Sequence, residues 1–353
     1  MRALFSILVV GVAVLAAGTV AAVPDIHTPG EFVPGGTPPV ASAPCQDRLY
    51  CNSFTEHPDV SWYADGEWRP DGTIGWISTG STIQTTDELC TMGPVCQPAF
   101  DPNNGGSVTR AFAWGIGAGD SWVGSWHFPP NNAKLAHVDA ACNVIAEFEI
   151  LDTDTGLPLQ YGGLAMDTAN GHLWANLRNN PVGTPSRFIE LDINGAGPVI
   201  LQGPMIAPWP EGPSIGVGGF DYNERDCTLI AMRQDGGNVP NAGTARIAVF
   251  KDNLPAGIGG VSFLAECQIN LTAHCTGTAD QANPNHPWGL AVVGGDFLYA
   301  IFSEINLAAG CAVPAAPAVS DLSFVSLPGY ESICEKTTAV EPTTWGRVKN
   351  SYK

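Results

Sequence analysis

The sequence has few charged residues, and most of those it has are acidic. Asp, Glu, Lys and Arg make up 14% of the 353 residues, against roughly 25% in an average soluble domain. There are 15 Lys and Arg and 34 Asp and Glu, which gives a formal net charge of −19. A surface of this charge repels nucleic acid and anionic membranes. We therefore exclude nucleic acid as a partner.

The body of the chain also lacks a long amphipathic helical period and the local motifs of common enzyme classes. It contains no Gly-x-Ser-x-Gly, no His-Glu-x-x-His, no P-loop and no dinucleotide-binding fingerprint. It is rich in turn formers instead, with 41 Gly and 29 Pro. This composition predicts an all-β fold with many turns.

The first 22 residues are predicted to be a secretory signal peptide. Met1-Arg2 is followed by an apolar run to Ala17, and Val20-Ala21-Ala22 supplies small residues for cleavage. The apolar run is shorter than the roughly 20 residues that span a bilayer, so we expect no membrane span. The mature protein is expected to be extracellular or at the cell surface, with the periplasm as the alternative. Residues 23–57 are predicted to be a Pro- and Gly-rich lead-in with a local disulfide.

All ten cysteines follow the signal, and their even number in an exported chain favours disulfides. Their spacing does not fit zinc sites, because no Cys-x2-Cys pair occurs. Sequence alone leaves the connectivity open. Our candidate pairs are three local ones, Cys45/Cys51, Cys90/Cys96 and Cys267/Cys275, and two long-range ones, Cys311/Cys334 and Cys142/Cys227.

A pair of hairpins repeats along the chain. The first hairpin of each unit lies at 111–126, 161–180, 217–232 and 288–302, and the second at 133–150, 186–203, 245–267 and 320–333. Two hairpins in series make a four-stranded antiparallel unit, which is typical of a β-propeller blade. We predict an all-β propeller over residues 58–335, in which 58–107 is either a first blade or an extension. Five blades are predicted, with six as the alternative.

The start of three of these repeats carries a recognisable motif. Its copies are Gly163-Leu164-Ala165-Met166-Asp167 with Leu173-Trp174, Gly219-Phe220-Asp221 with Leu229-Ile230, and Gly289-Leu290-Ala291. This pattern resembles the Gly-Leu-Ala-x-Asp…Leu-Trp repeat of secreted bacterial β-propellers in the NHL/SMP-30-like superfamily, over roughly residues 108–335. The resemblance implies the fold and not an activity. We interpret Asp167 and Asp221 as equivalent positions that hydrogen-bond the turn that follows them.

Loop lengths differ between the two faces of the predicted disc. The turns between first and second strands are short, whereas the loops of the other face are long: 127–133, 177–185, 233–244 and 303–319, with connectors 151–161, 203–216 and 269–287. Long loops in compact domains often carry function, so we predict that this face binds a protein or glycan ligand. The candidate ligand-binding residues there are Tyr161, Trp209, His286 and Trp288.

Asp152 and Asp154 are the candidate metal ligands. In Asp152-Thr-Asp154-Thr-Gly156, alternate carboxylates and a Gly turn resemble the start of a Ca²⁺ loop. The segment lacks the further ligands of an EF-hand, so an ordinary Asp-Thr-Gly turn is the alternative.

Residues 336–353 form a separate C-terminal tail. Trp345-Gly346 with Lys349 and Tyr352 resembles the Trp-Gly-x-x-Lys-x-x-Tyr endings of some exported bacterial proteins. The tail is predicted either to attach the protein to the cell surface or to be a solvated end. As a whole, the sequence predicts an exported binding module. The alternatives are a lactonase-like hydrolase or lyase with a metal at the propeller axis, and a self-associating surface or filament component.

Overall fold

Twenty strands make up the regular structure that the computed structural model describes. The described residues are 46–55, 63–78, 81–87, 91–100, 108–117, 119–126, 133–177, 186–209, 216–224, 227–234, 246–252, 260–268, 286–293, 298–304 and 319–326. The strands are β1 Gln46–Thr55, β2 Tyr63–Trp68, β3 Thr73–Ser78, β4 Ile83–Asp87, β5 Met92–Cys96, β6 Val108–Trp114, β7 Ser121–Trp126, β8 Leu135–Val138, β9 Val144–Phe148, β10 Tyr161–Asp167, β11 His172–Leu177, β12 Arg187–Asp192, β13 Val199–Ile206, β14 Gly216–Asn223, β15 Thr228–Gln234, β16 Arg246–Asp252, β17 Val261–Gln268, β18 His286–Val293, β19 Leu298–Glu304 and β20 Val319–Ser326.

These strands form five four-stranded antiparallel sheets, which we number as blades in chain order. Blade 1 is β2–β5, blade 2 is β6–β9, blade 3 is β10–β13 and blade 4 is β14–β17, while blade 5 combines β18, β19 and β20 with β1. The first strands β2, β6, β10, β14 and β18 contact one another in a closed ring. The predicted class, an all-β propeller of four-stranded antiparallel blades, is confirmed.

The ring closes through a strand from the segment that the sequence suggested was a lead-in. Strand β1 pairs with β20, with Gln46 opposite Ser326 and Thr55 opposite Val319. Strand β1 therefore covers the outer edge of blade 5 and connects the first described strand to the last. Residues 58–107, for which a blade and an extension were both open, supply the four strands of blade 1.

Each first strand carries one register irregularity near its start, at the equivalent place in all five blades. The irregularities lie between Tyr63/Asp65, Thr109/Ala111, Tyr161/Gly163, Val217/Phe220 and Pro287/Gly289. Blades 3 to 5 have a glycine at this place, where the neighbouring strand is very close: a Cβ on Gly219 would lie 2.3 Å from the amide nitrogen of Leu290. The Gly-Leu-Ala motif thus marks the point where adjacent blades approach most closely.

The hydrophobic core lies between blades. Burial falls from the axis outwards: every residue of β10 is buried, whereas half-buried and exposed residues alternate along β9. Between blades 3 and 4, Phe188 stacks against Phe220 with ring centroids 5.2 Å apart. First strands are buried on both faces, which is why they are almost continuously apolar in sequence. The outer strands by contrast expose aliphatic side chains, among them Ile145 and Val199.

One disulfide joins two blades, and it shows that two of the candidate pairs are wrong. Cys96, at the end of β5, bonds to Cys142 in the turn between β8 and β9. Cys142 therefore does not pair with Cys227, and Cys96 does not pair with Cys90. Sequence spacing favoured local loops, but neighbouring blades bring together residues 46 positions apart. Cys227 and Cys267 are also disulfide-bonded, and Cys45, Cys90, Cys275, Cys311 and Cys334 lie outside the described residues.

The predicted local pair Cys45/Cys51 stays a prediction. Cys51 lies within strand β1, opposite Leu322 of β20, and Cys45 lies outside the described residues.

Replacing Cys96 and Cys142 together by Ala is expected to lower the free energy of unfolding by up to about 4 kcal/mol, because the crosslink closes a long loop in the unfolded chain. Urea unfolding of the variant and of the wild type would measure the difference. A non-reducing digest should yield a peptide pair that links Cys96 to Cys142. Recovery of a Cys90–Cys96 peptide instead would contradict the connectivity.

Candidate functional site

A buried carboxylate, Asp65 of β2, lies at the axis of the propeller and connects four blades. It is completely buried. Its Oδ2 accepts the backbone N–H groups of Phe112 at 2.9 Å and Leu164 at 2.8 Å, and its Oδ1 accepts that of Phe220 at 2.9 Å. These donors belong to the first strands of blades 2, 3 and 4, so a single side chain from blade 1 holds three other blades at the axis.

A second layer of carboxylates follows one step along the same strands. Glu67 accepts the backbone N–H groups of Trp114 and Met166, the latter at 2.9 Å. Asp221 of β14 accepts the N–H of Val292 in blade 5 at 2.6 Å and that of Tyr222 at 2.7 Å. With Asp65, these two side chains link the first strands of all five blades through hydrogen bonds to carboxylate oxygens.

The need for these acceptors follows from the fold. A first strand has a partner strand on only one side, so alternate N–H groups point towards the axis with no strand to bond to. At the axis these groups are buried, where an unpaired donor is costly. Carboxylates supply acceptors for several donors at once. The three axial carboxylates therefore have a structural role that acts on every blade.

Burial alters the ionisation of the same groups. Burial raises the pKa of Asp65 well above its usual range, although three backbone N–H bonds act in the opposite direction. The pKa of Glu67 is likewise raised by burial and then by the nearby charge of Asp221. Burial raises the pKa of Asp221 to about 8, against the hydrogen bonds from Val292 and Tyr222. Burial thus favours the protonated form of all three axial carboxyl groups.

A cavity of about 930 Å³ opens beside the second layer, which we call the axial cavity. All five blades contribute to it, and it lies where the first strands end and the short turns to the second strands begin. Its polar and aromatic lining comprises Glu67, Trp68, Arg69, Asp71, Trp114, Thr168, Asp221, Tyr222, Asn223 and Glu224. Glu67 and Asp221 are the most buried of its charged groups, at 7% and 2% exposure.

Arg69 borders the axial cavity on the side of blades 1 and 2. Its guanidinium carbon lies 3.5 Å from the ring centroid of Trp114, and its Nη2 donates to the carbonyl of Asp120 at 3.4 Å. A second cavity of about 520 Å³ runs between blades 1 and 2 and shares Arg69, Trp114 and Gly119 with the first. The stacked Arg69–Trp114 pair therefore separates two neighbouring spaces on the short-turn face.

The aromatic residues predicted for ligand binding do not gather at this cavity. Tyr161 is completely buried in the core between blades 2 and 3. Trp209 is 5% exposed, packs against Phe250 and donates from Nε1 to Ser186 Oγ at 3.2 Å. Neither ring is available for stacking on a ligand, so the structure corrects both predictions. Both residues lie beside Gly or Pro in sequence, which suggested exposed loops, but the neighbouring blade covers them.

His286 and Trp288 lie at the start of β18, where the structure describes the backbone but not these side chains. Their predicted roles in ligand binding stay predictions. The long loops 127–132, 178–185, 235–245 and 305–318 also lie outside the described residues, so the predicted binding face is untested. The axial cavity is on the opposite face, among the short turns.

The candidate Ca²⁺ ligands already have a cation beside them. Arg187 donates from Nη2 to Asp152 Oδ2 at 2.5 Å, and its Nη1 lies 3.6 Å from Asp154 Oδ2. Asp152 Oδ1 also accepts the backbone N–H of Asp154 at 2.8 Å. This is the ordinary turn that was the alternative, with Arg187 in place of a metal. In the described part of the chain, no group of three or more His, Cys, Asp or Glu side chains is arranged to hold a metal ion.

Asp167 and Asp221 prove to have different roles. Asp167 pairs with its turn as predicted, since its Oδ2 accepts from Asn170 Nδ2 at 2.6 Å. Strand register places Asp167 opposite His172, whereas Asp221 lies opposite Ile230, two residues deeper in its hairpin. The equivalence assumed from sequence is therefore wrong for Asp221. Its carboxylate bonds across the axis to blade 5 and lines the axial cavity.

Sequence reasoning missed Asp65 and Glu67, although a signal was present. Asp65 is the first residue after the register irregularity of β2, the position that Ala111 and Gly163 hold in β6 and β10. Glu67, two residues on, holds the position of Ala165 in β10. Asp65 thus lies where the other blades have Gly or Ala, and Glu67 lies where blade 3 has Ala165 and blade 4 has the acid Asp221. Acids at these first-strand positions mark a departure from the repeat.

No helix capable of crossing a membrane is found among the described residues.

Comparisons with known proteins give weak similarities. No family model and no curated protein matches the chain. Solved structures with some similarity include one from the GH130 family of mannoside phosphorylases, which contains glycoside hydrolases that target β-1,2 mannosidic linkages in Candida mannan; it is 11% identical, with a TM-score of 0.44, covering 85% of this chain and 98% of that one. The Dos1 propeller is 10% identical, with a TM-score of 0.38, covering 75% and 68%. Hydrazine synthase of Kuenenia stuttgartiensis is 11% identical, with a TM-score of 0.36, covering 72% and 79%. None of these similarities carries an activity to this chain.

Proposed function

We propose that the protein is an exported binding module whose ligand occupies the axial cavity. The observation that carries the proposal is the cavity itself: about 930 Å³, built by all five blades and lined by both aromatic and charged side chains. Concave sites of this size with a few convergent polar groups are the usual form of ligand sites. Short turns on rigid strands hold the lining in place, so the site is preorganised.

A ligand of this cavity would be a small molecule or the end of a protein or glycan chain. A protein or glycan was the partner expected from sequence, but the described site is on the face of short turns. The long-loop face keeps its predicted role as a separate surface. The proposal therefore places one binding site at the axis and leaves the ligand's attachment to a larger molecule open to experiment.

Substitution of Ile116 by Trp is expected to weaken ligand binding at least tenfold. Ile116 lines the cavity and is 53% exposed, so a larger side chain there narrows the mouth at little cost to the core. The measurement is a ligand-observed NMR screen of small polar compounds against the wild type and the variant. Leu157→Trp is the matched control, because Leu157 is also an exposed aliphatic residue, at 46%, and lies away from the cavity. Binding that is equal in both variants would place the ligand elsewhere and refute the proposal.

The axial carboxyls favour a second candidate function, hydrolysis with a carboxyl as general acid. Glu67 and Asp221 line the cavity and have raised pKa values, the latter about 8, and a general acid must hold a proton at the working pH. Turnover of neutral lactones or glycosides by the wild type and not by Glu67→Gln would support it. Absence of turnover across both substrate classes would leave binding as the function.

A further inference from the structure

We infer that the ligand of the axial cavity carries one positively charged group, an ammonium or a guanidinium, which binds beside Glu67 and Asp221. The inference rests on the proposed function, because it names the ligand class of the same cavity. Among the described residues, four acidic side chains line the cavity, Glu67, Asp71, Asp221 and Glu224, and one basic side chain, Arg69. An anionic ligand would be repelled from such a lining.

Arg69 shows that this wall accommodates a cation. Its guanidinium stacks on Trp114 at 3.5 Å. Burial lowers the pKa of Arg69, and the nearby charges of Asp71, Glu67 and Asp120 act in the opposite direction. A cation over an aromatic face and beside carboxylates is the arrangement that proteins use to bind ammonium and guanidinium groups. Arg69 occupies the rim of the cavity next to blade 2, however, and it forms no ion pair with Asp221 across the axis.

Glu67 and Asp221 have acceptor capacity left for a ligand. Each of their four carboxylate oxygens accepts one backbone N–H, whereas a carboxylate offers about four acceptor sites in all. Among the described residues, neither carboxylate is in a salt bridge with Lys or Arg. A bound cation would supply the missing charge partner. In a buried setting, an ion pair costs much less free energy than a single unpaired charge.

Binding of a cation should release a proton. The ionisable groups that face Asp221 are Asp65 and Glu67 from β2 and Glu224 at the end of β14; Arg69, Asp71 and Asp120 approach from the turns of blades 1 and 2. The only base in this set is Arg69, so the carboxyls disfavour one another's ionisation. A ligand cation favours the ionised form, which lowers the pKa of Asp221 from about 8. Affinity for a cation should therefore increase with pH up to about 8.

The test compares butylguanidinium with butylurea, two probes of matched shape that differ in charge. Titration of each into the full mature protein is followed by calorimetry at pH 6, 7 and 8, in buffers of differing ionisation enthalpy. We expect butylguanidinium to bind at least tenfold more tightly than butylurea at pH 8, and to weaken roughly tenfold per pH unit below that as one proton must be displaced. Asp221→Asn should reduce both the affinity and the pH dependence.

Asp154→Asn is the matched control, because it removes one carboxylate that is 62% exposed on its side chain and away from the cavity. It should leave the affinity within twofold, which separates specific binding from general attraction to an acidic protein. Equal binding of the two probes, or affinity that does not change with pH, would overturn the inference while Ile116→Trp still reports a ligand in the cavity. If the screen finds that no compound is sensitive to Ile116→Trp, the proposed function itself fails.

Discussion

Replacement of Asp65 by Ala is expected to lower the free energy of unfolding by about 4 kcal/mol or more. The change leaves the N–H groups of Phe112, Leu164 and Phe220 without their acceptor. A buried donor without a partner costs roughly 1–3 kcal/mol. Water entering the space would recover part of this cost, which is why the expected sum is below the maximum for three donors.

Urea unfolding followed by circular dichroism and tryptophan emission would measure the loss. Since natural domains are stable by about 5–15 kcal/mol, Asp65→Ala is expected to fold only marginally. Asp65→Asn provides a second measurement. The amide keeps the shape of the carboxylate, but its NH₂ group replaces one acceptor oxygen and faces a backbone N–H donor. It should recover less than half of the loss.

Asp71→Ala is the matched control for Asp65→Ala. Asp71 is also an aspartate of blade 1, but it is exposed, and its Oδ1 accepts one local N–H, that of Thr73 at 2.9 Å. Its removal should have little effect on stability. A comparable effect of the two alanine substitutions would show that Asp65 does not hold the first strands together.

Much of the fold was predictable because each repeat depends on interactions between residues that are close in sequence. First strands packed on both faces must be apolar, and turns need Gly, Asp or Asn, so each hairpin is visible by itself. The turn at Asp167 is an example, since its carboxylate bonds to Asn170 three residues on. Such contacts involve only residues that are close in sequence, so they can be predicted from the sequence.

What sequence could not supply was the relation between distant strands. The pairing of β1 with β20 joins the first and last described strands, and Cys96 meets Cys142 only because consecutive blades lie side by side. The site depends on the same kind of contact: Asp65 bonds to Phe220, a residue 155 positions away. The sequence neighbours of Tyr161 and Trp209 also led to a wrong prediction. Both residues border Gly or Pro, which suggested exposed loops, yet a neighbouring blade covers them.

The second large effect concerns pH: stability is expected to fall as the pH rises from 4 to 8, the reverse of the usual behaviour of carboxylates. A raised pKa means that the folded state binds the proton more tightly than the unfolded state between the two pKa values. Stability then decreases with pH across that window, because the unfolded state holds fewer protons. For Asp221 the window runs from the ordinary value of 3.8 to about 8. The corresponding loss is on the order of 5 kcal/mol, and the raised pKa values of Asp65 and Glu67 act in the same direction.

Below pH 4 the sign reverses, because other carboxylates are stabilised in their ionised form. The pKa of Asp71 is lowered by its bond from the backbone of Thr73, and that of Asp139 by bonds from Asn143. Burial acts to raise the pKa of Asp152, but hydrogen bonds from Arg187 and the N–H of Asp154 outweigh it. Stability from these three groups is lost as the pH falls through their folded-state pKa values. Maximum stability is therefore expected near pH 4–5.

Urea unfolding with the disulfides intact, at steps between pH 3 and 9, would give the full curve. Asp221→Asn should flatten the slope between pH 5 and 8, because the amide does not titrate, whatever its effect on stability at pH 4. Asp154→Asn removes one negative charge at an exposed position and should keep the wild-type slope, which separates axial protonation from repulsion among surface carboxylates. A stability that rises between pH 5 and 8 in the wild type would mean that the backbone N–H bonds to the axial carboxylates outweigh their burial. These groups would then be ionised at neutral pH, and cation binding in the axial cavity would release no proton.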